Sequence, residues 1–207
     1  MRNVICGDAG AYLRSHDTPT DASFVTSLPD VSELRGQTLD AWRAWFIDTV
    51  ALVAAKSAAN GVAIFFQTDV FRNGQWIDKS YLCHQGAERA GARLLWHKIV
   101  CRVPAGSVAD GRPGYAHMLC FARELPMTSG FTPDVIPDLG SMDWSKAMGR
   151  NACVAACEWI RDHTETRTII DPFCGTGTVL AVANELGLEA LGIEIDEARA
   201  ERARRKK

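Results

Sequence analysis

The sequence has no excess of basic residues and no long hydrophobic run. Its 207 residues include 23 Lys and Arg against 25 Asp and Glu, a formal net charge of −2. Without a basic excess, the general surface cannot hold a nucleic acid by counterion release, so any polyanion must bind a local patch. No apolar run approaches the roughly 20 residues that span a bilayer, and the N-terminus lacks a signal-type apolar region. We therefore expect a soluble, cytoplasmic protein without a membrane partner.

The cysteines lack the spacing of a metal site. There are seven of them, no CxxC pair occurs, and most lie inside apolar runs. An odd number of scattered thiols is typical of reduced protein. Cys153 and Cys157 are one helical turn apart, but their small apolar neighbours favour packing over chelation. We expect no zinc and no other metal.

The most informative segment is Thr-Ile-Ile-Asp-Pro-Phe-Cys-Gly-Thr-Gly-Thr, residues 168–178. A β-branched run stops at Asp171, and glycines then open a helix, which places backbone N–H groups beside an anionic ligand group. A second apolar run, 191–195, carries Glu194 at its tip, where a carboxylate can accept hydrogen bonds from a ribose. The glycine spacing is too short for a dinucleotide fingerprint and the P-loop lysine is absent. A nucleoside-like ligand is predicted.

Strands and helices alternate along the chain. Periodicity predicts strands at 3–6, 23–26, 62–66, 93–103, 115–123, 167–171 and 189–195. It predicts helices at 9–16, 38–58, 79–90, 146–163, 176–187 and 196–207. The proline-containing stretch 124–144 is predicted to be a loop or linker. This order predicts an α/β fold in one domain over 1–207, with a Rossmann-like, doubly wound, mostly parallel seven-stranded sheet and an antiparallel strand near one edge.

The octet at 171–178, followed by Ile-Glu-Ile-Asp at 193–196, resembles the S-adenosylmethionine loop of methyltransferases. The resemblance is closest to the amino-methyltransferases that modify nucleic-acid bases. Their cofactor loop normally begins the domain, whereas here a strand ending in Gly-Asp opens the chain and the loop comes late. This order resembles the circularly permuted members of the family, and segments 95–98 and 112–119 resemble their late strands.

The resemblance implies S-adenosylmethionine as the cofactor and suggests which residues contact it. Asp8 would meet the adenine edge, Glu194 would hold the ribose, and Lys146 would sit over the carboxylate. The residues implied to line the methionine moiety are Asp171, Phe173, Gly175, Thr176 and Gly177.

The family's catalytic tetrapeptide, Asp/Asn/Ser-Pro-Pro-aromatic, has a variant counterpart here in Ser27, Leu28, Pro29 and Asp30. In the family the first side chain and the next carbonyl accept hydrogen bonds from the target amino group, and the aromatic stacks on the extruded base. Ser27 and the Leu28 carbonyl retain the first function. Asp30 cannot stack, but it could accept a proton or bond a base edge. A plain turn is the alternative interpretation of this segment.

Four other side chains are weighed against ordinary structural roles. Asp69 ends its own predicted strand and is a candidate for substrate contact, with a helix or turn cap as the alternative. His97 and His117 lie in predicted strands and are left out of the site. Trp45 has helical spacing and is assigned to the core, with stacking on a base as the alternative for an exposed tryptophan.

The resemblance implies an S-adenosylmethionine-dependent N-methyltransferase acting on a nucleic-acid base. Because the chain is small and lacks a long insertion for reading duplex sites, RNA such as tRNA is favoured over DNA as the partner. A small-molecule methyltransferase and a non-catalytic cofactor-binding subunit remain open alternatives. A homodimer is a further expectation, since a short chain can borrow surface from a second copy.

Overall fold

The computed structural model describes residues 1–34, 36–126, 132–144 and 146–206. The strands are β1 (Arg2–Cys6), β2 (Ala22–Thr26), β3 (Ala63–Gln67), β4 (Val70–Arg72), β5 (Gln75–Ile77), β6 (Arg93–Cys101), β7 (Tyr115–Ala122), β8 (Val135–Ile136), β9 (Thr168–Asp171) and β10 (Glu189–Glu194). The helices are α1 (Ala9–Ser15), α2 (Leu39–Lys56), α3 (Lys79–Arg89), α4 (Arg150–His163), α5 (Thr178–Glu185) and α6 (Glu197–Arg205).

The main sheet has eight strands in the order β1-β10-β9-β2-β3-β7-β6-β8. Strand β7 is antiparallel to both of its neighbours, and the other pairings are parallel. This arrangement confirms the predicted Rossmann-like class and the antiparallel strand near one edge. The predicted count of seven strands is corrected, because β8 pairs with β6 inside the segment predicted as a loop. A strand of two residues is too short to show a period in the sequence.

The two ends of the chain meet in the sheet. Strand β1 pairs in parallel with β10, and the Arg2 guanidinium donates a hydrogen bond of 2.9 Å to the Ala203 carbonyl of α6. The final helix therefore packs beside the first strand, which is the spatial relation expected of a circularly permuted domain.

Helices cover both faces of the sheet. One buried cluster joins the sheet to α4, α5 and α6, and the other joins it to α1, α2 and α3. Helix α2 begins after Thr38, whose hydroxyl accepts a hydrogen bond of 3.2 Å from the Ala41 N–H as an N-cap. Trp42 of this helix is fully buried, while Trp45 is only partly buried. Among the described residues, no helix has the length and apolar character needed to cross a membrane.

Two local features differ from the sequence prediction. Helix α4 begins at Arg150 rather than at residue 146, and its N-cap Gly149 lies so close to Leu139 that a Cβ would meet the Leu139 carbonyl. Between the predicted strand at 62–66 and the predicted helix at 79–90, residues 70–77 form the β4–β5 hairpin, with residues 72–75 at its tip. Asn73 and Gly74 have φ angles of 50° and 73°, the left-handed pair that a two-residue hairpin turn requires.

Candidate active site

The carboxyl ends of β1, β10, β9 and β2 surround a cavity of about 640 Å³, called here the large cavity. Open α/β sheets bind ligands at this edge because the strand order reverses there. Ten of the residues predicted from the sequence line it: Asp8, Ser27, Leu28, Pro29, Lys146, Asp171, Phe173, Gly175, Thr176 and Glu194.

A second cavity of about 320 Å³, called here the small cavity, lies beside the large one. It is lined by Asp30 and Asp69, and it shares Ser27, Leu28 and Lys146 with the large cavity. The segment after β2 therefore forms part of the wall of both cavities. Two ligand groups bound in the two cavities would approach each other at Ser27.

The two glycines of the loop after β9 have different roles. Gly175, with a φ of 53°, lines the large cavity. Gly177, with a φ of 81°, is the N-cap of α5 and is not among the residues lining either cavity. A Cβ at Gly177 would lie 2.9 Å from the Ala203 Cβ, so the missing side chain makes room for α6. The structure thus gives Gly177 a packing role, and its predicted contact with the cofactor stays a prediction.

Glu194 is buried at the tip of β10, and backbone N–H groups fix its carboxylate. Its Oε2 accepts a hydrogen bond of 3.0 Å from the Gly175 N–H, and its Oε1 accepts one of 2.9 Å from the Asp196 N–H. A carboxylate oxygen has two lone pairs, so each oxygen keeps one for a ligand hydroxyl. Glu194 combines a fixed position with remaining acceptor capacity, as the predicted ribose contact requires.

Asp171 connects β9 to β2 and also shapes the loop. Its Oδ1 accepts hydrogen bonds of 2.7 Å from the Thr26 hydroxyl and 3.1 Å from the Phe173 N–H. Burial raises the pKa of Asp171 to about 7, although these two hydrogen bonds oppose the rise. The side chain lies at the cavity wall, where it holds Phe173 in position.

This raised pKa predicts how stability depends on pH. The unfolded pKa is about 4, so the contribution of protonated Asp171 is complete below about pH 4 and is lost as the pH rises through about 7. Asp171→Asn keeps the oxygen acceptor but cannot ionise. We expect the wild type to lose roughly 2 to 3 kcal/mol more unfolding free energy than this variant between pH 5 and pH 8. Urea denaturation at both pH values measures the difference, and parallel losses would contradict the assignment.

Asp8 and Lys146 both line the large cavity. Asp8 follows β1, and its Oδ1 accepts a hydrogen bond of 2.6 Å from the Ala11 N–H as the N-cap of α1. The Lys146 ammonium donates to the Ser32 hydroxyl at 3.1 Å and lies 3.5 Å from Glu33 Oε1. Lys146 thereby links the segment before α4 to the loop after β2. Its predicted contact with a ligand carboxylate stays a prediction.

The segment Ser27 to Asp30 is held in place by the helix beside it. The Trp42 indole N–H donates a hydrogen bond of 3.2 Å to the Pro29 carbonyl, and the Leu28 side chain is buried. Within the described part of the chain, neither the Ser27 hydroxyl nor the Leu28 carbonyl has a hydrogen-bond partner. Two acceptors therefore remain available on a fixed backbone at the junction of the cavities.

Asp30 forms an ion pair with a buried lysine. Its Oδ2 lies 3.4 Å from the Lys79 ammonium, and its Oδ1 accepts a hydrogen bond from the Ser32 N–H. Burial by itself raises the pKa of Asp30, but Lys79 and the Ser32 N–H outweigh it, so the pKa lies below its usual value. A carboxylate with a lowered pKa is a weak base. Of the two predicted roles, this geometry favours hydrogen bonding over proton acceptance.

Asp69 belongs to a buried hydrogen-bond network. Its Oδ2 accepts from the Trp76 indole at 3.0 Å and lies 3.1 Å from His117 Nε2, while His117 Nδ1 lies 2.9 Å from His97 Nε2. Its Oδ1 accepts from the Lys79 N–H at 2.8 Å, as in the cap interpretation. Because it binds the Lys79 N–H, Asp69 fixes the start of α3. It also lines the small cavity. The two histidines, which we do not predict as site residues from the sequence, extend this network: His117 contacts Asp69, and His97 contacts His117.

Asp69, His117 and Asp78 have the geometry of a possible metal site. Each side chain offers one atom that could bind a metal ion, and these three atoms all lie within 4.8 Å of one another. The hydrogen bonds just described already give the Asp69 carboxylate and the His117 ring protein partners, so neither side chain requires a metal ion. Asp78 accepts hydrogen bonds from the Ser80 hydroxyl and the Tyr81 N–H as the N-cap of α3. The expectation that the protein holds no metal stays a prediction.

Comparison with known proteins gives one family model that matches part of the chain and solved structures that share its fold. The family model described as DNA methylase matches residues 158–205, the part that contains β9, α5 and β10. A protein from Thermus thermophilus assigned as a DNA modification methylase, solved with S-adenosyl-L-methionine, is 17% identical with a TM-score of 0.75; the match covers 100% of this chain and 93% of that one. The chain has a methyltransferase fold.

The cytosine-N4-specific PvuII DNA methyltransferase is a second structural neighbour, 11% identical with a TM-score of 0.75, and the match covers 98% of this chain and 85% of that one. No curated protein sequence matches the chain. The partial family match and the shared fold confirm the predicted resemblance to the amino-methyltransferases. The cofactor predicted from the sequence is the one bound in the Thermus structure.

Proposed function

We propose that this protein is an S-adenosylmethionine-dependent N-methyltransferase that modifies a base of DNA. In this proposal the cofactor occupies the large cavity and the target base occupies the small cavity. The observation that carries the proposal is the junction of the two cavities at Ser27 and Leu28, where two unpaired acceptors lie on a fixed segment.

The residues of the large cavity fit the cofactor. Glu194 keeps acceptor capacity for the ribose hydroxyls, and the Gly175 backbone leaves open space in which a Cβ would meet only the Trp144 indole, at 3.9 Å. Phe173 and Trp45 form an edge-to-face pair 6.0 Å apart in the cavity wall and offer apolar surface for an adenine. S-adenosylmethionine supplies a methyl group on a positively charged sulfur.

The catalytic work of the chain is to orient the amino group. If its two N–H groups donate to the Ser27 hydroxyl and the Leu28 carbonyl, its lone pair is directed toward the large cavity. With the cofactor bound, the nitrogen–carbon bond would replace the carbon–sulfur bond, S-adenosylhomocysteine would be left in the large cavity, and the nitrogen would release one proton to water. Such a reaction needs alignment and exclusion of water more than a strong base, which is consistent with the ion-paired state of Asp30.

DNA is proposed in place of RNA for two reasons. The sequence favours RNA only through the small size of the chain, and the comparisons show that this size is compatible with a DNA methylase fold. The Thermus protein, assigned as a DNA modification methylase, is covered over 93% of its length, so a chain of similar size carries that assignment. The matching family model is also described as DNA methylase. Small size is therefore no argument against DNA as the partner.

Labelled methyl transfer tests the proposal. The protein is incubated with methyl-labelled cofactor and, in parallel, with unmethylated DNA, total RNA or a metabolite extract. Digestion to nucleosides followed by mass spectrometry should place the label on an amino group of a deoxynucleoside. Label found only in RNA or in the extract would overturn the choice of DNA. Cofactor binding without transfer to any of the three would favour the non-catalytic alternative.

A further inference from the structure

The segment 27–30 lacks the aromatic side chain that stacks on the extruded base in the methyltransferases it resembles. Enzymes that act on a flipped base hold it between aromatic or apolar side chains. At the corresponding position of this chain stands Asp30, and its ion pair with Lys79 keeps a charged group there. Any stacking surface must come from another element of the fold.

The β4–β5 hairpin supplies such a surface. Phe71 lines the small cavity and is 61% exposed, and its cross-strand partner Trp76 is 53% exposed. The alternate positions Val70 and Ile77 pack toward the core instead. An exposed apolar patch beside a polar cavity is typical of a binding site.

The hairpin is held rigidly enough to act as a platform. Its turn uses left-handed Asn73 and Gly74, and the Trp76 indole donates to the buried carboxylate of Asp69. Because the turn and the anchored Trp76 hold the strand that pairs with Phe71, binding a base costs little ordering of the hairpin.

Gln67 is a second, independent sign of a ligand in the small cavity. It ends β3, lines the cavity and is only 1% exposed, and its side-chain Nε2 is buried without a hydrogen-bond partner among the described residues. An unpaired buried amide costs about 1 to 3 kcal/mol. A nucleobase edge carries the donors and acceptors that would pair with such an amide.

The charges around the cavity suit a nucleic-acid strand. Arg72, Arg102 and Arg112 line it, and two of them, Arg72 and Arg112, are exposed. The three acids that line it are paired: Asp30 with Lys79, Glu33 with Lys146, and Asp69 with His117. The rim can therefore attract phosphates although the whole chain is slightly acidic.

We propose that the extruded base stacks on Phe71 and that the Gln67 amide hydrogen-bonds its edge. The inference rests on the proposed function and names the residues that bind its substrate. The Ser-Leu-Pro-Asp segment has no aromatic side chain to stack on the base. Phe71, on strand β4, would provide this stacking surface instead.

Substitutions at Phe71 provide the main test. Phe71→Ala should lower kcat/KM for methyl transfer to DNA about tenfold or more, because stacking on an aromatic contributes about 1 to 3 kcal/mol per base. Phe71→Trp should retain most of the activity. Tyr81→Ala is the matched control, since Tyr81 is 60% exposed but lines neither cavity. Cofactor affinity, measured by calorimetry, should be unchanged in all three variants.

Gln67→Leu separates a binding role from a structural one. Removing an unpaired amide should leave stability unchanged or raise it, whereas transfer to DNA should fall.

If the wild type is active and Phe71→Ala resembles Tyr81→Ala, the inference is overturned and the proposed function stands. If the wild type transfers no methyl group to DNA, both are overturned together.

Discussion

Replacing Gly177 with alanine is expected to destabilise the protein by about 3 kcal/mol. A left-handed backbone costs a residue with a Cβ about 1 to 2 kcal/mol, and overpacking adds about 1 to 3 kcal/mol. Both apply here, because the new Cβ would lie 2.9 Å from the Ala203 Cβ and 3.0 Å from its Cα. Relief requires α6 to move away from the loop. Chemical denaturation monitored by tryptophan fluorescence measures the loss.

Gly175→Ala is the control for this prediction. Gly175 also has a positive φ, but a Cβ there would meet only the Trp144 indole nitrogen, at 3.9 Å. It should therefore lose only the backbone contribution of about 1 to 2 kcal/mol. Equal losses in the two variants would show that contact with α6 does not determine the requirement for Gly177.

Removing the Ser27 hydroxyl is expected to lower kcat for methyl transfer about 100-fold. Loss of one fixed hydrogen-bonding group in a catalytic site typically costs roughly 10²- to 10³-fold in rate. Ser27→Ala leaves the backbone and the Leu28 carbonyl in place, so one of the two proposed acceptors for the amino group remains. Cofactor affinity should stay at the wild-type value, because Glu194 and Gly175 are untouched. Single-turnover transfer of labelled methyl groups to DNA measures the effect.

Ser27→Asn tests whether the hydroxyl acts as an acceptor. An amide oxygen can replace the hydroxyl, so this variant should recover a substantial part of the rate that Ser27→Ala loses. A rate unaffected by alanine would remove Ser27 from the mechanism. Equal loss in both variants, with normal stability, would point to shape rather than hydrogen bonding.

The sheet and the loop after β9 are predictable from the sequence because long apolar periods and glycine turns carry strong local signals. Strand β8 and the β4–β5 hairpin are not, since strands of two or three residues show no period. The network of His97, His117 and Asp69 depends on the register of β6 and β7, which the sequence does not encode locally. Sequence patterns therefore indicate the large cavity better than the small one.

Gly177 and Asp171 illustrate a second limit of sequence reasoning. A motif tells which residues recur together, but it does not separate those that contact a ligand from those that shape the loop. Gly177 serves the packing of α6, and Asp171 ties β9 to Thr26. Only the tertiary contacts assign these roles. Gln67 and Phe71 show the reverse case, since they line the small cavity without belonging to any recognised motif.

Titration of S-adenosylmethionine into the purified protein tests the central claim most directly. The account predicts binding of one cofactor per chain, weakened at least tenfold by Glu194→Gln because a hydrogen bond to a charged group contributes about 1.5 to 3 kcal/mol. Glu189→Gln, on the exposed start of the same strand, should bind like the wild type. Absence of binding heat, or equal affinity in the Glu194 and Glu189 variants, would contradict the assignment of the large cavity to the cofactor.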